Sequence, residues 1–430
     1  MQGSVNRFLG RVSGGEGAVA GGAMRHGLML QVNEQLVIDF VHRLGHTTRP
    51  EIAQSLGLSA ATVSRIIRRL SERGLVREGP GPGTRGRPRA SIAFNSFSGS
   101  VVGIDLGSTK CHGVLADLVG TVMTEIVVPS DEAGDPFATL ISMIDRLEHA
   151  AERAATPLAA MTVGVPAIVD PRTGIATRGP NVRWHGFPLG DRLAQHVRVP
   201  CAVENDVDLA ALGHAWKGDA QGIPDYVVLS VGTGIGAAVV VDGRLLRGRN
   251  QAAGEVGNLV LDKALLRSSR PDGIGAFEVL ASGVGIAAAA REAIARHAAG
   301  RVLGHAGPQP STADVFAAAG TGDPTASLMV QEVRDYVAMG IIAIASVVDP
   351  ALVILDGSVG RALGPYLSEM DGVLNDHLAA PPDLIISSLG SESTVIGAVA
   401  ASLDISRLGL RGRSDHPSTA SEDALVMIPK

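Results

Sequence analysis

The chain has 430 residues, of which 45% are hydrophobic, 19% charged and only 3% aromatic. That length exceeds one ordinary core and predicts two or three domains, and the apolar content excludes a disordered chain. Glycine is abundant, at 54 residues, which favours a loop-rich α/β protein over an aromatic-dependent β-sandwich. The longest apolar run, residues 341–355, is interrupted by Asp349-Pro350, so it cannot span a bilayer, and no membrane partner is expected. Residues 1–30 hold no continuous apolar stretch and do not read as a signal peptide. Cys111 and Cys201 are the two cysteines. They are too few for a disulfide scaffold or an all-cysteine metal cage, and they suit a reducing cytoplasm.

The net charge of −6 conceals an asymmetry. Residues 1–95 carry 13 arginines, no lysine and 6 acidic residues, whereas the remainder carries 24 basic and 37 acidic residues. A basic head on an acidic body directs the head toward a polyanion, uneven solvated charge being the plainer alternative. Residues 1–30 are Gly-rich without periodicity and are expected to form a disordered tail. Over residues 33–44, the spacing of Leu36, Val37, Phe40, Val41 and Leu44 predicts a helix with those five on one face. Thr48-Arg49-Pro50-Glu51 supplies an N-cap, a proline near the first turn and a Glu three residues on. The short helix it opens turns Ile52, Ala53 and Leu56 inward, and Gly57 ends it. Ser59 caps a third helix running to about Arg73, with Val63, Ile66, Ile67 and Leu70 as its buried stripe.

A helix–turn–helix of this kind lays its second helix in a major groove. Ser59, Ala60, Ala61, Thr62, Ser64, Arg65, Arg68 and Arg69 are its candidate DNA-facing residues. The alanines permit close approach, Thr62 and Ser64 can bond phosphates or base edges, and Arg65 can fork onto guanine. After Gly74 a β-wing is expected. Arg85, Arg87 and Arg89, set around Gly86 and Pro88, form a narrow strip able to enter an A·T-rich minor groove. A winged helix used for protein contacts is the alternative, and the arginine strip argues for DNA.

After Asn95 the pattern changes to apolar runs ending in glycine turns. Residues 101–105 form a strand leading into Leu106-Gly107-Ser108-Thr109-Lys110, followed by another strand. The glycine lets backbone amides approach a phosphate, Thr109 adds a hydroxyl, and Asp105 can hold Mg²⁺ directly or through water. Alone, such a hairpin is also a common structural turn. A second one, Val231-Gly232-Thr233-Gly234-Ile235-Gly236, lies between strands at 226–230 and 237–241, and a third apolar segment ends in Asp356-Gly357-Ser358. Two matching hairpins suggest a duplicated nucleotide-binding fold with its ligand in the cleft between halves. Between them, a strand delivers Glu204-Asn205-Asp206 to its end. Asp206 there can take a proton from a sugar hydroxyl while Asn205 orients the ring, or the pair can cap the following helix. Asp208 is expected to face elsewhere. Gly254-Glu255-Val256-Gly257-Asn258 and Glu278 add polar groups, and paired carboxylates suit a polyol.

These motifs, in this order, resemble the ROK family (repressors, open reading frames and sugar kinases), in its winged-helix repressor branch, over about residues 33–400. The resemblance implies an α/β protein: a winged helix-turn-helix, then a duplicated actin-like sugar-kinase fold of two lobes with a central cleft. The winged domain would span 31–95. Lobe 1 would span 98–205, completed by a helix near 392–405, and lobe 2 would span 206–390, leaving 411–430 as a disordered tail. By resemblance, Asp105, Gly107, Ser108, Thr109 and Lys110 form the first phosphate loop, and Gly232, Thr233 and Gly234 belong to the second, with Gly357 near the adenosine. Gly164-Val165-Pro166-Ala167-Ile168-Val169-Asp170 matches the Gly-Val-Pro-Gly-type turn. Asn205, Asp206, Glu255, Asn258 and Glu278 would hold the sugar, Asp206 being the general base in a kinase.

Two departures stand out. The family's His after Gly-Glu-x-Gly is Asn258 here, and residues 262–278 lack its zinc-binding cysteines. No structural zinc is therefore expected, and the ligand loop should be held by packing alone. Asp356-Gly357 stands where consecutive glycines are common, so the Asp356 carboxylate should repel ATP phosphates or face solvent. The leading expectation is a repressor whose body binds a sugar or sugar derivative and which needs no cofactor. Its partner would be palindromic operator DNA, bound by a homodimer or dimer of dimers. The alternative is a sugar kinase using Mg-ATP and Asp206, and a protein adaptor is the third class.

Overall fold

A computed structural model describes residues 32–80, 90–179, 184–267, 273–296, 301–305 and 307–411. The chain divides into two compact units, the first ending at Ser98 and the second starting at Gly99.

The first unit opens with helix α1 over residues 32–44. Its buried residues are Glu34, Val37, Ile38, Phe40 and Val41, while Leu36 and Leu44 are 44% and 52% exposed. The sequence pattern had placed Leu36 and Leu44 inward. The helix is rotated because Glu34 turns in to meet Arg69 at 2.8 Å and Arg73 at 3.6 Å. After β1 (His46–Thr47) comes α2 (Arg49–Leu56), opened by a complete capping box between Thr48 and Glu51 and closed by Gly57 in the left-handed region. Ile52 is buried, whereas Ala53 and Leu56 are half-buried. Ser59 then caps α3 (Ala60–Glu72), which buries Val63, Ile66, Ile67 and Leu70. Strands β2 (Val76–Pro80) and β3 (Ala90–Phe94) complete a three-stranded sheet in the order β1-β3-β2.

The second unit contains two five-stranded sheets. In the first, β4 (Ser100–Leu106), β5 (Lys110–Asp117), β6 (Val122–Pro129), β7 (Leu158–Val165) and β11 (Cys201–Asn205) run in the order β11-β7-β4-β5-β6. Between them lie α4 (Pro136–Arg153), a small sheet of β8 (Ile168–Asp170), β9 (Ile175–Gly179) and β10 (Trp184–Pro188), and α5 (Leu189–His196). Val102, Ile104 and Leu106 on one face of β4 share a core with Leu140, Met143, Ile144 and Leu147 of α4. The other face meets α14 (Ser393–Arg411), where the Ser402 hydroxyl donates to the Val102 carbonyl at 2.8 Å. Strands buried on both faces read as continuous apolar runs, which is why β4 shows no alternation.

In the second sheet, β12 (Tyr226–Val231), β13 (Ile235–Val241), β14 (Arg244–Leu245), β15 (Leu352–Asp356) and β16 (Asp383–Ile386) run in the order β14-β13-β12-β15-β16. Val227, Leu229 and Val231 enter a core with α7 (Ala276–Ala281), α8 (Gly283–Ala295), α10 (Thr312–Gly320), the long α11 (Pro324–Val348) and α13 (Leu367–His377). The short α9 (Arg301–Gly304) and α12 (Gly357–Ala362) fill the connections. Tyr226 and Val228 point the other way, onto α6 (Asp206–Lys217). Helix α6 leaves the last strand of the first sheet and packs on the second, so the β11–α6 junction sits where the two halves meet. None of the described helices is long and apolar enough to cross a membrane.

Candidate functional site

On the first unit, Ala60, Ala61, Arg65, Arg68 and Arg69 of α3 are exposed, and Thr62 and Ser64 are half-buried. The Thr62 hydroxyl lies 2.9 Å from that of Ser59, and the Thr62 N–H donates to Ser59 at 3.1 Å. Both hydroxyls therefore begin the helix as well as facing outward. Arg69 shares its charge with Glu34, and among the described residues Arg65 and Arg68 have no acidic partner at ion-pair distance. Arg85, Arg87 and Arg89 lie outside the described residues.

On the second unit, a cleft is lined by Ser108, Pro166, Ala167, Arg178, Asn205, Asp206, Gly232, Thr233, Gly234, Glu255, Asn258 and Glu278, among others. The sequence had singled out nine of these positions, from segments as far apart as β4–β5 and α7. Asn205 caps α6, its side-chain oxygen accepting from Val207 and Asp208 at 2.8 and 3.1 Å, while its amide donates to the Ala167 carbonyl at 3.1 Å. The cap role and the cleft position coincide in one residue. Burial, with the charge of Asp105 next, pushes the Asp206 carboxyl up to about 8, the Val207 N–H opposing this at 3.0 Å. Burial likewise raises Asp105 to about 7 against the pull of Lys110. Asp206, which lines the cleft, holds its proton near neutrality, and its ionised form is a stronger proton acceptor toward a hydroxyl than an ordinary carboxylate.

The two glycine hairpins meet directly, the Ser108 hydroxyl lying 3.1 Å from that of Thr233. Asp105, Gly107, Thr109, Lys110 and Gly357 are not among the residues that line the cleft. The Gly107 N–H donates to the Lys110 carbonyl, the Thr109 carbonyl accepts from the Ser130 N–H, and the Lys110 ammonium reaches the Ser391 carbonyl at 3.3 Å. Gly357 has φ +78° and lies so near Val231 that a Cβ would fall 2.4 Å from its carbonyl oxygen. Among the described residues, no group of three or more His, Cys, Asp or Glu side chains could hold a metal ion.

Two expectations are overturned here. The ligand loop is not held by packing alone. Glu278 accepts from the Ile235 N–H at 3.0 Å and from the Gly275 N–H at 2.7 Å, tying the second hairpin to the loop. Asn258 donates to the Glu255 carbonyl at 3.2 Å, and Arg178 donates to the Gly273 carbonyl at 2.6 Å. Burial, then Glu278, raises the pKa of Glu255, and Arg178 opposes them. Secondly, Asp356 does not face solvent. It is 3% exposed and accepts from the Gly357 N–H at 2.7 Å, Arg361 at 2.9 Å and the Ser393 hydroxyl at 2.5 Å. Burial alone would raise its pKa, yet the nearby His214 ring, Ser393 and Gly357 hold it below the ordinary value. The carboxylate is a buried junction of β15, α12 and α14.

Sequence reasoning missed Arg178, Arg247, His214 and Arg361. Asp208 does face away from the cleft: its carboxylate meets Arg247 at 3.4 Å, and Arg247 also forks onto Glu204. A buried glutamate beside Asn205 needs a cation, and that requirement was the available signal for Arg247.

Comparison with known proteins gives a consistent picture. The model of the ROK family matches residues 101–404, and that of the MarR family matches residues 30–85. A xylose repressor of Caldicellulosiruptor bescii is 26% identical over 384 residues, covering 87% of this chain and 96% of the relative. A glucokinase of Halalkalibacterium halodurans is 28% identical over 305 residues, covering 69% of this chain and 92% of the relative. Among solved structures, a ROK-family transcriptional regulator described as a homolog of the E. coli MLC protein superposes with a TM-score of 0.71. That match has 22% identity and covers 89% of this chain and 97% of the other, a likeness that speaks to the fold.

Proposed function

Because the chain belongs to the ROK family, we propose that it is a sugar-responsive transcriptional repressor. Its winged helix grips operator DNA and its two-lobed body binds a sugar or sugar derivative in the cleft. The observation that carries this reading is the pairing, in one chain, of a capped helix α3 exposing Arg65 and Arg68 with a cleft rich in carboxylates. Arg65, at the groove-facing side of α3, reads base edges, while Arg68 and the wing arginines Arg85, Arg87 and Arg89 meet phosphate and minor groove. In the cleft, Asn205, Asp206, Glu255, Asn258 and Glu278 accept and donate to sugar hydroxyls. A sugar that binds one lobe arrangement more tightly than the other shifts the chain between DNA-competent and incompetent states. A two-fold dimer, or a dimer of dimers, places paired α3 helices on a palindromic operator in the cytoplasm. Regulation of this kind needs neither nucleotide nor metal.

The test is salt-dependent DNA binding by the full chain. Neutralising roughly 6–10 phosphates makes affinity fall on the order of 10³–10⁵ between about 50 and 200 mM salt. An affinity flat across that range would remove the DNA reading.

A second reading, a kinase transferring phosphate from Mg-ATP to a sugar hydroxyl, is favoured by the raised pKa of Asp206, which suits a general base. Sugar-dependent ADP release over a panel of hexoses, pentoses and amino sugars, with Asp206→Asn as control, decides it. Turnover abolished in the control supports a bifunctional protein, and silence across the panel leaves a kinase fold used for sensing.

A further inference from the structure

The ligand-facing wall of the cleft is built from two chain segments that never touch in sequence. Asn205 and Asp206 come from the end of β11 and the start of α6, and Glu255 follows the turn after β14. One residue joins them. Arg247 donates from Nη1 to Glu204 Oε1 at 3.0 Å and from Nη2 to Glu204 Oε2 at 2.5 Å, and Nη1 lies 3.4 Å from Asp208 Oδ2. The side chains are 17%, 5% and 16% exposed respectively. The oxygen of Glu204 that takes Nη1 also accepts the Asn205 N–H at 2.9 Å, so the guanidinium reaches the backbone of the cap residue through one carboxylate. At its other end, the Arg247 carbonyl accepts the Ala253 N–H at 3.1 Å, closing the turn that delivers Gly254 and Glu255. Gly254, at φ +87°, is pressed against Ala237, whose N–H donates to the Gly254 carbonyl at 2.8 Å.

We propose that Arg247 is the positioning residue of the ligand cleft, a clamp that holds the Asn205–Asp206 turn, at the junction of the two halves, in register with the Gly254–Glu255 loop. The bidentate fork fixes direction as well as distance, which a lysine ammonium cannot do. Glu204 and Asp208 make no use of the cleft. Their carboxylates flank Arg247, and through it they set where Asp206 stands. The inference rests on the sugar reading only for what the wall holds, since the clamp is assembled from the protein's own groups.

Hydrogen exchange on the full-length protein, without ligand, tests it. In Arg247→Gln the amides of residues 205–208 and 253–258 should exchange at least about tenfold faster, while those of 226–231 in the neighbouring sheet stay unchanged. The neutral pair Glu204→Gln/Arg247→Gln removes the fork together with the Glu204 charge and should leave both segments exchanging about as fast as in the single variant. Arg247→Lys, which keeps the charge without the fork, should fall between, and it serves if the glutamine variant does not fold. Unchanged exchange in either segment, or a double variant restored to the parent's rates, overturns the clamp. Weaker response to D-xylose or D-glucose in Arg247→Gln, with sugar-free DNA affinity intact, adds support. A parent protein deaf to every sugar refutes the sugar reading instead, and leaves the exchange result to decide the clamp.

Discussion

Replacing Asp356 with alanine separates its two conceivable roles. The carboxylate accepts three hydrogen bonds, from Gly357, Arg361 and Ser393, and is almost wholly buried. Removing it takes a partner from the buried Ser393 hydroxyl and from Arg361, whose side chain is 30% exposed and keeps the Gly390 carbonyl at 2.9 Å. Leaving buried polar groups without their partner costs about 1–3 kcal/mol. A unit of about 300 residues unfolds with an entropy near 0.6 kcal/mol/K, so the loss lowers the thermal midpoint by roughly 2–5 °C. The pKa of Asp356 is depressed in the fold. Its contribution is therefore present above the unfolded carboxyl value of about 3.9 and is lost as pH falls through the lower folded value. Calorimetry of the parent and Asp356→Ala should show the full gap at pH 7 and a narrowing gap below about pH 4. A midpoint within about 1 °C of the parent at pH 7, coupled with tighter ATP binding, would mean that the carboxylate stands against the nucleotide after all.

Asp105 and Asp206 behave in the opposite sense. Each keeps its proton in the fold to about pH 7 and 8 but loses it near pH 4 when unfolded. Stability should thus fall as pH rises from about 4 to 7, by up to about 1.4 kcal/mol per pH unit for each carboxyl. Urea unfolding at pH 5 and 7 should show a shallower decline in Asp206→Asn, and equal declines would contradict the buried, protonated state. Arg65→Ala should relax base preference at one operator position and cost about 1–3 kcal/mol of discrimination there. Selection of bound sequences from a random duplex pool checks this, and an unchanged preference would move the base contacts elsewhere.

Local signals in the sequence foretold the local structure. The Thr48–Glu51 box, the Ser59 cap and the α3 stripe each involve groups within a few residues of one another, and the structure contains all of them. The cleft was legible in part, because strand-end motifs at Asn205-Asp206 and the glycine hairpins are compact enough to stand out. The face of α1 was misread. Leu36 and Val37 satisfy two overlapping helical stripes equally well, and only the long-range pairing of Glu34 with Arg69 chooses between them. Asp356 was misread for the same kind of reason. Its partners Arg361 and Ser393 lie on α12 and α14, and nothing near Asp356 in the chain announces Ser393, 37 residues on. Arg247 stands 43 residues from Glu204, and the glycine hairpin between them gives no sign of the pairing. Buried charge is assigned by tertiary neighbours, which a linear pattern does not display.

The central claim is that one chain couples sugar in the cleft to DNA on the winged helix, and titrating sugar into the protein–DNA complex tests it most directly. A duplex enriched from a random pool is labelled, and its anisotropy is followed as D-xylose, D-glucose and an amino sugar are added to the full-length protein. The account predicts that one sugar weakens DNA affinity by about 5–150-fold, a coupling of roughly 1–3 kcal/mol, and that Asp206→Asn loses this response while still binding DNA. DNA affinity unmoved by every sugar, in a protein that binds its duplex tightly, would contradict it.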